Sequence, residues 1–257
     1  RYRRGSSFEN YYNCPHGRVS VKKIAIITPV PDMVNTIIEQ SMLRKATEEN
    51  VAEYNVVDLR EFGKGNYRQI DDTPFGGGSG MVMMAEPLVN AIESALAWMD
   101  NKDVRIVFPS PQGKAWNHKS AESFSQNENL IFICGHYKGI DQRVIEKYVT
   151  DEFSIGDYVV SSGEIPAMII IDSIMRLIPG VLNSRESAET DSFYGDLLDN
   201  PHFTKPRKVG GMSVPDVLVS GHHKEIEDWR QSKRKYITQE KRPDLWRQYL
   251  KNSEIVE

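Results

Sequence analysis

Three short segments rich in glycine, proline and small polar residues have the composition best suited to holding a ligand. They read PSPQG at 109–113, CGHYKGID at 134–141, and SIGDY at 154–158 followed by SSGEIP at 161–166. Glycine lets backbone N–H and C=O groups approach a flat ligand, so main-chain groups can select an adenine edge. Taken singly, each segment is more typical of a turn. Three in succession favour a site for a nucleotide-like ligand.

Several familiar nucleotide-binding and hydrolase motifs are absent from the sequence. It contains no G-x-x-x-x-G-K-[ST], no G-x-S-x-G, no H-E-x-x-H and no G-x-G-x-x-G running from a strand into a helix. The first apolar strand leads into TPVP at 28–31, which has no glycine turn to cradle a pyrophosphate. A nucleotide-like cofactor is therefore expected at a place other than the first strand.

The elements that must position these segments alternate between apolar strands and amphipathic helices. Apolar runs predict strands at 22–28, 51–59, 104–108 and 130–134, and 3.6-residue spacing predicts helices at 31–49, 85–99 and 164–177. This alternation predicts an α/β fold with a mainly parallel sheet. Ligands of such sheets bind at the carboxyl ends of the strands, which is where the three segments begin.

Charge is distributed unevenly along the chain. The net charge is -4, yet residues 202–251 contain 12 Lys and Arg against 6 Asp and Glu. Helical patterns at 224–235 and 243–250 combine these charges with four aromatic residues, Trp229, Tyr236, Trp246 and Tyr249. This composition indicates a basic helical domain that meets RNA phosphates, with a solvated helical face as the alternative.

Cysteine content and hydropathy argue against a disulfide-stabilised protein and against a protein with a transmembrane helix. Two cysteines, Cys14 and Cys134, cannot form a disulfide framework, and neither lies in a metal-binding pattern. No apolar run reaches the roughly 18 residues that a transmembrane helix requires. We therefore expect a cytoplasmic location with no membrane partner, and we interpret residues 1–21 as a disordered N-terminal extension.

Seven longer strings resemble, in their order, the bacterial tRNA (guanine-N(1)-)-methyltransferases of the trefoil-knot SPOUT superfamily. They span about Lys22 to Leu245 and read FGGGSGMVMM, PSPQG, CGHYKGIDQR, SIGDYVVSSGEIPAMIIIDSIMRLIPGVL, SAETDSF, LLDNPHFTKP and SGHHKEIEDWR. The resemblance implies a deep trefoil knot in the parallel sheet, a small all-α C-terminal domain and a homodimer. It implies methyl transfer from S-adenosylmethionine (AdoMet) to N(1) of the tRNA guanine immediately 3′ of the anticodon.

The same resemblance assigns residues to the two binding sites. The AdoMet pocket would contain Ser110, Pro111, Gly113, Gly135, Tyr137, Ile155, Gly156, Tyr158, Gly163 and Pro166. Gly76 and Gly80 would close the cleft and face the guanine, while Asp199 and His202 belong to a tRNA-binding segment.

The substrate dictates what the catalytic residues must do. Guanine N(1) carries a proton at neutral pH, so transfer needs a base to remove it and a cation to stabilise charge on O6. By resemblance, Asp191 is the general base and Arg176 the cation, and Mg²⁺ assists although the sequence shows no ligand cluster for it. The alternatives are a helix cap or solvated acid for Asp191, and a helix-end arginine complementing the dipole for Arg176.

The predicted organisation has a knotted AdoMet-binding domain at 22–183, a flexible linker carrying Asp191 at 184–206 and a basic helical tRNA-binding domain at 207–257. Because the resemblance implies a dimer and Asp191 lies in the linker, we expect shared active sites, in which the AdoMet pocket of one chain receives Asp191 of the other. Where many relatives have Arg-Tyr-Glu, this chain has His136-Tyr137-Lys138. The competing functions are a tRNA-binding protein without catalysis and a knotted methyltransferase that acts on ribose or rRNA.

Overall fold

The computed structural model describes residues 21–99, 103–181 and 191–254. Contacts divide the chain into two compact units, with the boundary between residues 182 and 183. Residues 1–20 of the predicted extension and residues 184–190 of the predicted linker lie outside the described ranges, as do residues 182 and 183 at the end of the predicted AdoMet-binding domain.

The N-terminal unit consists of alternating strands and helices. Its strands are β1 Lys22–Thr28, β2 Ala52–Asp58, β3 Asp71–Asp72, β4 Val82–Met83, β5 Val104–Ala115, β6 Asn129–Ile133 and β7 Asp151–Ser154. Its helices are α1 Pro31–Ile38, α2 Ser41–Glu48, α3 Ala85–Trp98, α4 His118–Ser125, α5 Gln142–Tyr148 and α6 Glu164–Met175.

Five of these strands form one parallel sheet in the order β2-β1-β6-β5-β7, which confirms the predicted α/β class. Successive residues of a strand point to opposite faces, and both faces of this sheet are covered. Ile24 and Ile26 of β1 pack on one side in a core that includes α2 and α6. Ala25 and Ile27 pack on the other side with α3.

The prediction of a single helix at 31–49 is wrong. The chain forms two helices, α1 and α2, which are separated by Glu39 and an extended Gln40. Val34 and Leu43 belong to the same buried core. Nine residues of continuous helix at about 100° per residue would place them on opposite faces. The interruption therefore lets both side chains reach the sheet.

The C-terminal unit is mainly helical. A short antiparallel hairpin of β8 Lys208–Val209 and β9 Met212–Ser213 comes first, followed by helices α7 His223–Lys241 and α8 Pro243–Glu254. Within the described ranges, no helix has both the length and the apolar character needed to cross a bilayer.

Candidate active site

A cavity of about 300 Å³ lies at the bulge of β5 and at the carboxyl ends of β6 and β7. Because parallel strands have their carboxyl ends at one edge of the sheet, the three glycine- and proline-rich segments meet there. Nine of the ten residues predicted for the AdoMet pocket line it, namely Ser110, Pro111, Gly135, Tyr137, Ile155, Gly156, Tyr158, Gly163 and Pro166. The tenth, Gly113, is not among the lining residues.

Gly113 instead allows two strands to approach each other. Pro109 and Lys114 both pair with Phe153, so residues 110–113 bulge out of β5 toward the cavity. A Cβ on Gly113 would lie 2.4 Å from the backbone nitrogen of Phe153. The residue thus shapes the cavity wall from behind.

Gly135 and Gly163 bring two other segments into direct backbone contact. The Gly163 N–H donates to the Gly135 carbonyl at 2.8 Å, and a Cβ on Gly163 would lie 2.5 Å from the Gly135 nitrogen. A Cβ on Gly135 would lie 2.8 Å from the Phe108 ring. No larger residue fits either position without moving the backbone or that ring.

Tyr137 has an uncommon backbone conformation at the cavity wall. Its φ is 59°, in the left-handed region that non-glycine residues rarely occupy, and about half of the residue is exposed. Such strain persists only where the surroundings impose it, and it concentrates at ligand sites. The flanking backbone is fixed because Lys138 donates to the Met81 carbonyl at 3.0 Å and Gly139 to the His136 carbonyl at 3.0 Å.

A fully buried carboxylate, that of Glu164, ties together three segments beside the cavity. Glu164 is the first residue of α6 and is 0% exposed. It accepts a 2.5 Å hydrogen bond from the Thr28 hydroxyl at the end of β1. The Nε2 atom of His136 lies 2.8 and 2.9 Å from its two carboxylate oxygens. His136 itself lines the cavity.

Opposing effects set the pKa of Glu164. Burial raises it, but hydrogen bonds from His136, Thr28 and Ser162 lower it by more, so the pKa lies below its ordinary value. The residue is therefore ionised at neutral pH. Burial, followed by the charge of Glu164, raises the pKa of the Cys134 thiol, which is consequently a neutral packing group.

The glycine-rich segment approaches the cavity at one end. Gly76, Gly77, Gly78 and Gly80 all have φ between 76° and 113°, a conformation that favours glycine. A Cβ on Gly80 would lie 3.0 Å from the Cγ atom of Lys138, which lines the cavity. Gly80 is thus placed beside the cavity wall, whereas Gly76 has no neighbour within 4 Å of a Cβ.

The predicted catalytic arginine is at the far end of α6. Arg176 is the exposed C-cap residue, and its backbone N–H donates to the Asp172 carbonyl. With a rise of about 1.5 Å per residue, it lies roughly 20 Å along the helix axis from Gly163. The structure therefore does not bring Arg176 to the cavity wall that Gly163 forms in the same chain.

Asp191 belongs to the C-terminal unit, in a tight loop. The Phe193 N–H donates to the Leu197 carbonyl at 2.7 Å, and the Tyr194 N–H donates to the Asp191 carbonyl at 3.4 Å. Phe193 and Asp196 both have positive φ. Within the same unit, Asp199 and His202 form a side-chain pair at 2.8 Å.

Two α7 residues that the sequence did not single out hold this loop. Arg234 is almost fully buried and donates to the carbonyls of Leu198 and Tyr194 at 3.3 and 3.2 Å. The Leu198 N–H donates to the Thr238 hydroxyl at 2.8 Å. In the basic pattern Arg234 resembled a surface charge, so no sequence signal separated it from its neighbours.

The Glu164 network was also missed by the sequence analysis. The available signal was an acidic residue at the start of an otherwise apolar helical run, where negative charge complements the helix dipole. Among the described residues, no three acidic, histidine or cysteine side chains are grouped as a metal site.

Comparisons with known proteins agree with this architecture. The family model described as tRNA (Guanine-1)-methyltransferase TrmD matches residues 22–248. A protein of Listeria welshimeri named tRNA (guanine-N(1)-)-methyltransferase is 45% identical over 88% of this chain and 93% of its own length. Proteins with the same name from Clostridioides difficile and Desulforamulus reducens are 43% and 44% identical over 86% and 87% of this chain, covering 96% and 88% of their own lengths. The chain belongs to the tRNA (guanine-1)-methyltransferase family and is an enzyme of that family.

Proposed function

We propose that this enzyme transfers a methyl group from AdoMet to N(1) of the tRNA guanine immediately 3′ of the anticodon. The observation that carries the proposal is the glycine-walled cavity at the bulge of β5 and the ends of β6 and β7, in a chain of this family. The relatives' shared name specifies the N(1) atom of guanine in tRNA.

The cavity suits the adenosine part of AdoMet. Its volume of about 300 Å³ is at the lower end of the range for small-molecule sites. Apolar surfaces of Phe108, Ile155 and Pro166 line it together with Gly135 and Gly156, which have no side chain to obstruct a flat heterocycle. When bound, AdoMet supplies an electrophilic methyl group on its sulfonium.

In this proposal, Asp191 accepts the N(1) proton and Arg176 stabilises negative charge on O6 of the guanine. A carboxylate oxygen can accept the proton, and a guanidinium donates hydrogen bonds to a developing oxyanion. The positive φ values around Asp191 support the assignment, because strained loops concentrate at functional sites. Asp199 and His202 are proposed to contact tRNA.

We further propose a homodimer with shared active sites. One face of α6 carries Ile165, Ile169, Asp172 and Arg176 at helical spacing, and the two isoleucines are each 45% exposed. A twofold axis through this face would pack two α6 helices antiparallel. The end of one helix would then lie beside the start of the other, which would bring Arg176 of one copy toward the cavity of its partner.

The surface of α7 supports tRNA binding. The Lys233 ammonium lies 5.9 Å from the Trp229 ring and 5.8 Å from the Tyr236 ring, and that of Lys235 lies 5.8 Å from the Tyr249 ring. Tyr236 is exposed, whereas Trp229 and Tyr249 are half-buried. Cationic groups next to accessible aromatic rings suit phosphates and unstacked bases.

Three further properties stay predictions: the trefoil knot, the assisting Mg²⁺ and the cytoplasmic location. Close backbone contacts at Gly113 and Gly163 are compatible with a knot. We assign Mg²⁺ no ligand among the described residues.

Replacing Asp191 by asparagine tests the catalytic assignment. Asp191→Asn preserves shape but removes the proton acceptor, so the single-turnover methylation rate should fall by about 10²–10⁴. The dissociation constants for AdoMet and tRNA should stay within twofold of wild type. Radiolabelled AdoMet measures the rate, with one tRNA carrying guanine and another carrying adenine at the target position.

The matched control is Asp216→Asn, which makes the same charge change at a 93% exposed side chain in the same unit. A near-normal rate for Asp191→Asn refutes the base assignment. Equal labelling of both tRNAs favours an enzyme that acts on ribose or another RNA position. Tight tRNA binding with no methylation by wild type favours a binding protein.

A further inference from the structure

Charge is scarce on the walls of the cavity. Of the residues that line it in the described part of the chain, Lys138 is the one lysine, arginine, aspartate or glutamate. The other side chains are apolar, hydroxyl-bearing or, in His136, an imidazole that faces Glu164. A ligand in this cavity therefore meets a cation from the wall and no carboxylate.

Both the backbone and the stem of Lys138 are held in place. Its N–H donates to the Met81 carbonyl at 3.0 Å. Its aliphatic chain lies along Gly80, whose added Cβ would be 3.0 Å from Cγ and 3.2 Å from Cε of the lysine. Within the described ranges no ion pair engages the Lys138 ammonium. The ammonium group, with three hydrogen-bond donors, is thus available at the cavity.

We infer that Lys138 binds the carboxylate of the amino-acid end of AdoMet and makes that carboxylate a requirement for tight binding. This inference rests on the proposed function, because it takes AdoMet as the occupant. The methionyl end of AdoMet carries both an ammonium and a carboxylate. A cation on the wall attracts the carboxylate and repels the ammonium, which fixes the orientation of this end.

If Lys138 binds the carboxylate, the cavity should distinguish ligands by their amino-acid end, which a neutral or acidic wall would not do in the same way. A ligand with the carboxylate should bind more tightly than one with only the amine, since the amine alone adds repulsion without a partner. A nucleoside that lacks the whole amino-acid end should be indifferent to Lys138.

Isothermal titration calorimetry with three ligands tests this selectivity. The ligands are S-adenosylhomocysteine, its decarboxylated analogue that keeps the amine, and 5′-methylthioadenosine. The proteins are wild type, Lys138→Met, Lys138→Arg, Lys138→Glu and the control Lys147→Met, which removes an exposed lysine outside the cavity. Methionine keeps an unbranched stem that can lie along Gly80.

In Lys138→Met, S-adenosylhomocysteine should bind about tenfold more weakly, because a charge-assisted hydrogen bond is lost. Binding of 5′-methylthioadenosine should be unchanged in every variant, which also shows that the cavity is folded. Lys138→Arg should restore most of the loss. Lys138→Glu should reverse the preference so that the decarboxylated analogue binds better than S-adenosylhomocysteine, while Lys147→Met should match wild type.

Three results overturn the inference in distinguishable ways. If Lys138→Met binds S-adenosylhomocysteine as wild type does, Lys138 does not hold the carboxylate, and the proposed function stands. If the variant loses tRNA affinity in filter binding while S-adenosylhomocysteine affinity is kept, the lysine contacts an RNA phosphate instead. If wild type binds none of the three ligands, the proposed cofactor fails and the inference with it.

Discussion

Glu164 receives hydrogen bonds from residues that are far apart in sequence, Thr28 and His136. A buried charge is tolerated only when such partners replace its hydration. Its position in the first turn of α6 adds the favourable field of the helix N-terminus. This one carboxylate thus connects the end of β1, the segment after β6 and the start of α6.

Glu164→Gln should destabilise the protein at neutral pH by about 1–3 kcal/mol, since the hydrogen bonds lose their charge assistance. The folded-state pKa is depressed, so the stabilisation is complete above the unfolded value of about 4.3 and is lost as pH falls through the folded value. Urea unfolding at pH 7 and at successively lower pH measures this. The difference between wild type and variant should narrow below about pH 4, and a difference that does not change with pH contradicts the assignment.

The accuracy of the sequence predictions differed between the two kinds of site residue. Nine residues that the family resemblance assigned to the AdoMet pocket line one cavity, and the matching strings include glycines that close backbone contacts require, as at Gly135 and Gly163. The roles of Glu164 and Arg234 were not predicted, because residue type alone does not distinguish a buried, hydrogen-bonded charge from a solvated one. Their partners come from distant parts of the chain, and hydrophobic periodicity contains no information about such pairings.

At the level of secondary structure elements, the start of α6 packs directly against the backbone that follows β6. A substitution at Gly163 tests whether this contact can relax. Gly163→Ala should destabilise by about 1–3 kcal/mol or more, because its Cβ meets the backbone of Cys134 and Gly135, which cannot shift without moving β6. The control is Gly65→Ala, where a positive φ adds strain but the Cβ has open space. Thermal and urea unfolding should show a smaller loss, about 1 kcal/mol, for the control. Equal losses would mean that the contact at Gly163 relaxes easily.

Helices and strands with a long apolar pattern were predicted accurately, whereas a short strand with few apolar residues was missed. The strands β1 and β6 and helix α3 lie within two residues of their predicted bounds. The four-residue β7 carries Asp151 and Glu152 and shows no apolar run, so its pairing with β5 was not recognised. The division of residues 31–49 into two helices depends on a shared core that only the folded sheet defines.

For the whole molecule, the basic composition of the C-terminal part leads to a test of tRNA binding. The double variant Lys233→Glu with Lys235→Glu should weaken tRNA binding and reduce the slope of log affinity against log salt by about 1–2, because fewer counterions are released. Arg234 is left unchanged because it anchors the loop that carries Asp191. Lys147→Glu is the control in the other unit. An unchanged salt slope would identify the basic stretch as a solvated face.

The strand order also has a consequence for synthesis on the ribosome. β1 pairs on one side with β2, which follows closely, but on the other side with β6, where Lys23 pairs with Asn129. At about 5–20 residues per second, more than 100 further residues take several seconds to be made. During that interval one edge of an isoleucine-rich strand has no partner, a condition that invites pairing between nascent chains. That edge of β1 therefore stays without its native partner until residues 129–133 have been made.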